Sequence, residues 1–111
     1  MSKGELLGEF EHLTLLAVLR LDDDAYGMRV RQEIAERTGR DVSIGAVYAT
    51  LERLAEKGLV AASMGEATPE RGGRAKRCFR LTRTGADSVN RARHEMESMI
   101  EGLRFPLRGT R

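Results

Sequence analysis

Two periods of apolar and polar residues run through this chain, and the switch between them divides it into elements. From Glu9 to Leu21, Phe10, Leu13, Ala17 and Leu21 recur at spacings of 3, 4 and 4, which predicts a helix with one inward face. Leu15, Leu16, Val18 and Leu19 widen that face, so it serves either a second subunit or a fuller core of its own. Asp22, Asp23 and Asp24 form an acidic turn, with Asp24 as N-cap of a second helix from Ala25 to Thr38. In that helix Gly27, Val30 and Ile34 share the inner side, Arg29, Glu33 and Glu36 face solvent, and Gly39 closes it. A third helix starts at the N-cap Ser43, buries Val47, Leu51 and Leu54, and breaks at Gly58.

Beyond Gly58 the period shortens to two. Leu59 to Met64 predicts a strand, residues 66–74 a turn around Pro69, Gly72 and Gly73, and Lys76 to Leu81 the returning strand. Phe79 and Leu81 point to the helices, while Lys76, Cys78 and Arg80 point away. Helical spacing then returns after the N-cap Thr82. Val89, Ala92, Met96, Met99 and Leu103 follow spacings of 3, 4, 3 and 4, broadened by Ala86 and Ile100, and Phe105–Pro106 ends the run. Such a seam packs against a second copy or against the first helix of the same chain.

The predicted fold class is therefore mainly α with a small β-hairpin: a winged helix-turn-helix domain over residues 9–82, followed by a C-terminal dimerisation helix over residues 83–105. Residues 1–8 and 106–111 are expected to be flexible. The expected dimer interface comprises Phe10, Leu13, Val89, Ala92, Met96, Met99, Ile100 and Leu103.

Charge sharpens this picture. The 111 residues carry a formal charge of only +2, but its distribution is uneven. Residues 1–40 hold six basic and eight acidic side chains, and residues 41–111 hold thirteen and nine. Between Thr68 and Arg83, Arg71, Arg74, Lys76, Arg77, Arg80 and Arg83 face Glu70 alone, a footprint for an anionic partner. One cysteine gives neither a disulfide framework nor a zinc cluster. The acidic turn lacks the further oxygen ligands a metal site needs, and His12 and His94 form no ligand or catalytic pattern. No metal, cofactor or enzymatic centre is expected, and Cys78 reads as a quiet strand residue rather than a redox sensor. With neither a cleavable leader pattern nor a membrane span, a cytoplasmic location is expected.

The third helix carries the binding chemistry. Ser43, Gly45, Ala46, Tyr48, Ala49, Thr50 and Arg53 lie off its apolar face, and the small ones allow close approach to a major groove wide enough for a helix. Ala49 or the Thr50 methyl would touch thymine methyls, and Thr50 and Arg53 would hydrogen-bond base edges. Tyr48 would donate to a phosphate or serve packing alone. Glu52 and Glu56 are expected to face away from DNA, Lys57 to lie toward backbone or solvent, and Arg31 and Arg37 are secondary phosphate candidates. In the hairpin, Arg71, Arg74 and Lys76 are the leading phosphate contacts.

Taken together, Ala25–Gly27 (AYG), Ser43–Val60 (SIGAVYATLERLAEKGLV), Gly73–Thr82 (GRAKRCFRLT) and Gly85 closely resemble the PadR family of winged-helix transcriptional regulators. The resemblance covers about residues 9–104. It implies that Tyr48 is the recognition-helix tyrosine and that Arg71, Arg74 and Lys76 form the basic wing. Cys78 stands where an aromatic residue is frequent in that family. The implied function is a dimeric, sequence-specific DNA-binding regulator. It would most often be a repressor, with a double-stranded DNA operator and a second copy as partners, and there is room for a small hydrophobic effector near the interface. The alternative is a protein-interaction module that uses the same fold without specific DNA recognition.

Overall fold

The computed structural model describes residues 7–64 and 76–105. In order they form α1 (Glu9–Leu21), a 3-10 turn (Asp22–Asp24), α2 (Gly27–Thr38), α3 (Ile44–Glu56), β1 (Val60–Met64), β2 (Arg77–Leu81) and α4 (Arg83–Ile100). The whole of the expected wing turn, residues 66–74 with Arg71 and Arg74, and the tail 106–111 lie outside the described residues, as do residues 1–6 of the segment expected to be flexible. Leu7 and Gly8, also assigned to that segment, are placed: Leu7 packs on the core, and the Gly8 N–H donates to Glu11 at 3.0 Å.

One core joins the elements. Leu15 and Val18 from α1, Val30 from α2, Val47, Leu51 and Leu54 from α3, and Phe79 from β2 are almost wholly buried. Each stabilises the fold by about 1.5–3 kcal/mol through lost apolar exposure. The inward face of α1 differs from the expected Phe10–Leu13–Ala17–Leu21 line. It is instead formed by Glu11, Thr14, Leu15, Ala17 and Val18. Apolar residues surround most of this helix, so they do not choose its orientation. The polar pair does, because both members find partners when buried. The Thr14 hydroxyl donates to the Phe10 carbonyl at 2.8 Å, and Glu11 meets α3.

α2 begins two residues later than expected, with Tyr26 as N-cap and no side-chain cap. Asp24, the expected cap, instead accepts from Arg29 Nε at 3.3 Å. The residues lost from the helix join the hairpin: the Ala25 carbonyl accepts from Phe79 N–H at 2.9 Å, and Tyr26 bridges Cys78. α2 ends at Gly39, whose φ of 77° is left-handed. Across the next turn, Arg31 Nε donates to the Val42 carbonyl at 2.6 Å. Arg31, a secondary phosphate candidate, thus ties α2 to the residue before the α3 cap.

Ser43 caps α3 as expected, its hydroxyl accepting from Ala46 N–H at 3.0 Å. At the other end Leu59 N–H reaches the Leu54 carbonyl at 2.9 Å and Gly58 N–H that of Ala55 at 3.0 Å, around the left-handed Gly58. This paired closure is the Schellman motif. β1 and β2 then pair antiparallel with Val60 opposite Leu81, Ala62 opposite Phe79 and Met64 opposite Arg77. Each strand starts one residue later than the sequence pattern predicts.

Thr82 caps α4 by accepting from Gly85 N–H at 3.0 Å, and its hydroxyl donates to the Gly58 carbonyl at 2.6 Å. Its own N–H reaches the Leu59 carbonyl at 3.1 Å. A Cβ on Gly85 would lie 2.0 Å from the Leu59 oxygen, so only glycine lets α4 start this close to the end of α3. Gly85, Ser88 and Val89 are the buried residues of α4. Beyond Asn90 the helix is largely exposed, with Ala92 half-buried.

Candidate DNA-binding surface

α3 presents Gly45, Ala46, Tyr48, Ala49, Glu52, Arg53 and Glu56 outward, while Val47, Thr50, Leu51 and Leu54 are buried. Thr50 therefore departs from its expected place. At 3% exposure it sits in the core, because 100° per residue brings it nearer to Val47 and Leu54 than to Ala49. Neither its methyl nor its hydroxyl reaches the outer face. A second correction concerns Glu52 and Glu56. Gly45, Ala49, Glu52 and Glu56 fall along one line on α3, opposite the buried residues, so the carboxylates share the stripe of the small residues.

Glu52 does not stand there alone. Arg77 from β2 grips it with both guanidinium nitrogens, Nη1 to Oε2 and Nη2 to Oε1, the latter at 3.3 Å. The Arg77 guanidinium also lies 5.1 Å from the centre of the Phe79 ring. The hydrogen bond from Arg77 holds the Glu52 carboxyl below its ordinary range, and the same bond raises the already high pKa of Arg77.

Tyr48 is 38% exposed, and its ring packs against Gly27 at the start of α2. A Cβ on Gly27 would come within 2.4 Å of Tyr48 Cζ and 2.6 Å of its oxygen. The Ala25–Tyr26–Gly27 run thus has a steric reason: glycine makes the slot in which the tyrosine rests. This sets the phenol beside the first turn of α2, where the N-cap side chain makes no capping hydrogen bond.

Arg53, expected to read bases, is half exposed, but its Nε donates to Glu11 Oε2 at 3.0 Å. Lys57 Nζ, expected toward backbone or solvent, meets both Glu11 oxygens at 3.1 and 2.9 Å. Burial works against the charge on Glu11. The Gly8 N–H, Lys57 and Arg53 outweigh it and lower the pKa to about 2. Glu11 is thus a buried anion that fixes the α1–α3 angle, and two cations of α3 are committed to it.

Glu33 plays a similar part between α1 and α2. Arg37 at 2.7 Å, Arg20 at 3.1 Å and Arg29 at 3.8 Å surround it. The hydrogen bond from Arg37 is the largest influence holding its carboxyl below the ordinary range. Arg37 is thereby tied down rather than free, and Glu33 is not the solvent residue the sequence suggests. Of the expected wing contacts, Lys76 is described: its ammonium lies 5.1 Å from the centre of the Tyr26 ring. Cys78 is half-buried and pairs with Ser63 across the ladder.

The eight residues assigned to a dimer interface divide into three groups. Val89 is a correction, since it lies in the core of its own chain at 6% exposure, where α4 rests on the hairpin and α1. Phe10, Leu13 and Ala92 are half-buried. Met96, Met99, Ile100 and Leu103 are exposed, Met99 at 76%. Leu7, His12, Ala92, Met96 and Met99 line a groove of about 390 Å³ between the start of α1 and α4. His12 Nε2 is buried without a hydrogen-bond partner among the described residues.

Sequence reasoning missed Glu11 and the Glu52–Arg77 pair as site residues. A polar residue inside an apolar run hinted at Glu11, but its partners lie 42 and 46 positions away. Nothing in the linear pattern joins Glu52 to Arg77.

The profile described as the Transcriptional regulator PadR-like family matches residues 15–91. The complex structure of hsRosR-S1 superposes with a TM-score of 0.67 at 26% identity, over 92% of this chain and 83% of that one. A PadR family transcription regulator from hypervirulent Clostridium difficile shares the fold at a TM-score of 0.63 and 24% identity, over 80% and 94% of the two chains. So does a winged-helix DNA-binding protein from STIV, with a TM-score of 0.63 and 19% identity over 88% and 99%. No curated protein matches the chain. No described helix is long and apolar enough to cross a membrane. The capped α3, the hairpin that follows it and the family profile spanning both lead to one assignment: the chain belongs to the PadR-like family of transcriptional regulators, DNA-binding winged-helix proteins that are not enzymes.

Proposed function

We propose that the chain acts as a homodimeric, sequence-specific repressor. Two copies place their α3 helices in successive major grooves of an inverted-repeat operator, their centres about 34–36 Å apart. The observation that carries this reading is the outward stripe of α3, where Gly45, Ala46 and Ala49 leave room for a groove floor beside the Tyr48 slot. Ser43, Gly45, Ala46 and Ala49 approach bases, and Tyr48 donates to a phosphate next to the open first turn of α2. Arg71, Arg74 and Lys76 grip the flanking backbone. Thr50 has no part in these contacts, and Arg53 joins them through the guanidinium nitrogens that Glu11 does not hold.

Residues 9–82 then form the DNA-binding domain and residues 83–105 the dimerisation helix. Phe10, Leu13, Ala92, Met96, Met99, Ile100 and Leu103 supply the contact between copies. The exposed methionines support this, since a large apolar row left in water marks an interaction surface. A small hydrophobic effector would enter the Met96–Met99 groove and change the dimer, and the protein would work in the cytoplasm. Repression results where the operator overlaps the promoter.

Footprinting on the DNA upstream of the chain's own gene, with in vitro selection from random duplexes beside it, tests the proposal. Two protected half-sites one helical turn apart are expected. Equal affinity for selected and scrambled duplexes at low salt would reject it and leave the interaction-module alternative.

A further inference from the structure

The described part of the α3 outer face offers little that reads bases by hydrogen bonding. Gly45, Ala46 and Ala49 have no polar side chain, and the Ser43 hydroxyl, which accepts from Ala46 N–H at the start of the helix, keeps its own proton to donate. Tyr48 rests in the Gly27 slot, and Arg53 has its Nε on Glu11 and Nη2 on Thr50, which restrains its reach without using all its donors. Glu52 remains. It follows Gly45 by seven residues on the same line, about 10 Å along the axis, and its carboxylate is half exposed. A carboxylate only accepts hydrogen bonds. Phosphates and the acceptor edges of guanine and thymine repel it, whereas the amino group of cytosine satisfies it. Arg77 lies against it from β2, so the anion is already compensated before DNA arrives.

We propose that Glu52 is a specificity-determining residue. Its carboxylate selects a cytosine amino group at one position of each half-site and disfavours duplexes that offer none there. Arg77 orients that carboxylate and screens it from the backbone. This assignment rests on the regulator reading above and adds to it the base that the helix reads and the residue that reads it. Specificity of this kind comes partly from repulsion of wrong sequences.

The test is parallel in vitro selection with the full-length wild type, Glu52→Gln, Glu52→Ala and Arg77→Gln, followed by titration of selected and scrambled duplexes at several salt concentrations. Wild type selects cytosine at one position per half-site. Glu52→Gln moves that preference to adenine, whose N6 and N7 match an amide, and Glu52→Ala abolishes it. Glu52→Gln also binds the scrambled duplex about tenfold more tightly, with a log–log salt slope steeper by about one, because Arg77 is freed for a phosphate. Arg77→Gln has the opposite effect, weakening binding to every duplex while cytosine is retained.

An unchanged base preference in Glu52→Gln overturns the assignment. So does a parallel loss of affinity in Glu52→Gln and Arg77→Gln, the result expected of a clasp that merely holds α3 to β2. If wild type selects no sequence at all, the regulator reading falls, and this inference falls with it. Thermal melts of each variant establish that the fold is retained.

Discussion

Two residues set the geometry of α3 from outside it. Gly27 does so by absence: a methyl there would overlap the Tyr48 ring. Gly27→Ala is expected to destabilise the chain by about 1–3 kcal/mol, as overpacking does, and to displace Tyr48. Thermal unfolding beside a DNA titration checks both effects. Tyr48→Phe keeps the ring in its slot and loses the proposed phosphate bond, so affinity should fall about fivefold with an unchanged melting temperature. Glu11 acts by charge. Its pKa is about 2 in the folded chain against an ordinary value of 4.5, so the unfolded chain takes up the proton first as the solution is acidified. The stabilisation from Glu11 is complete above about pH 4.5 and is lost as the pH falls toward 2. Equilibrium unfolding across that window should show Glu11→Gln less stable than wild type by about 2–3 kcal/mol at pH 7. The difference should shrink progressively below pH 4.5.

Among the elements, junctions matter more than lengths. Thr82 caps α4, anchors to the Gly58 carbonyl and binds Leu59 through its own N–H. Thr82→Ala removes the two hydroxyl bonds and should cost about 1–2 kcal/mol in chemical denaturation, with the midpoint shifted and the slope unchanged. These junctions also show what the sequence makes legible. Ser43, Gly58 and Thr82 announce their roles locally, because a cap or a left-handed turn depends on a few neighbours. The apolar period likewise reveals Val47, Leu51 and Leu54. The face of α1 and the start of α2 are not legible in this way. Glu11 selects the first through residues on α3, and the second is set when Ala25 and Tyr26 pair with β2. Thr50 is misread for another reason: its hydroxyl suggests an outer place, whereas the helical angle sets it beside Val47 and Leu54. Glu52 was assigned by charge alone, and Arg77 makes its actual place tolerable.

For the whole molecule, the exposed end of α4 is the feature that supports the proposed pairing with a second copy. Met96, Met99, Ile100 and Leu103 project from a domain whose core closes without them. Met96→Glu should therefore leave the melting transition of the domain nearly unchanged while weakening self-association. Sedimentation would show monomer at concentrations where wild type is paired. DNA titration would show weaker binding that depends more steeply on protein concentration. An unaltered dimer with unaltered affinity would dissolve the link between α4 and the operator.

The knot of Gly58, Leu59, Thr82 and Gly85 gives that link a mechanical character. Hydrogen bonds on both sides of a contact too close for any side chain leave no slack between the root of α4 and the end of α3. In the proposed dimer the two helices would turn together. If copies pair as proposed, a tilt at their contact would pass through this junction to α3 and alter the spacing of the two α3 helices, so a molecule wedged at the far end of α4 would release an operator without approaching it.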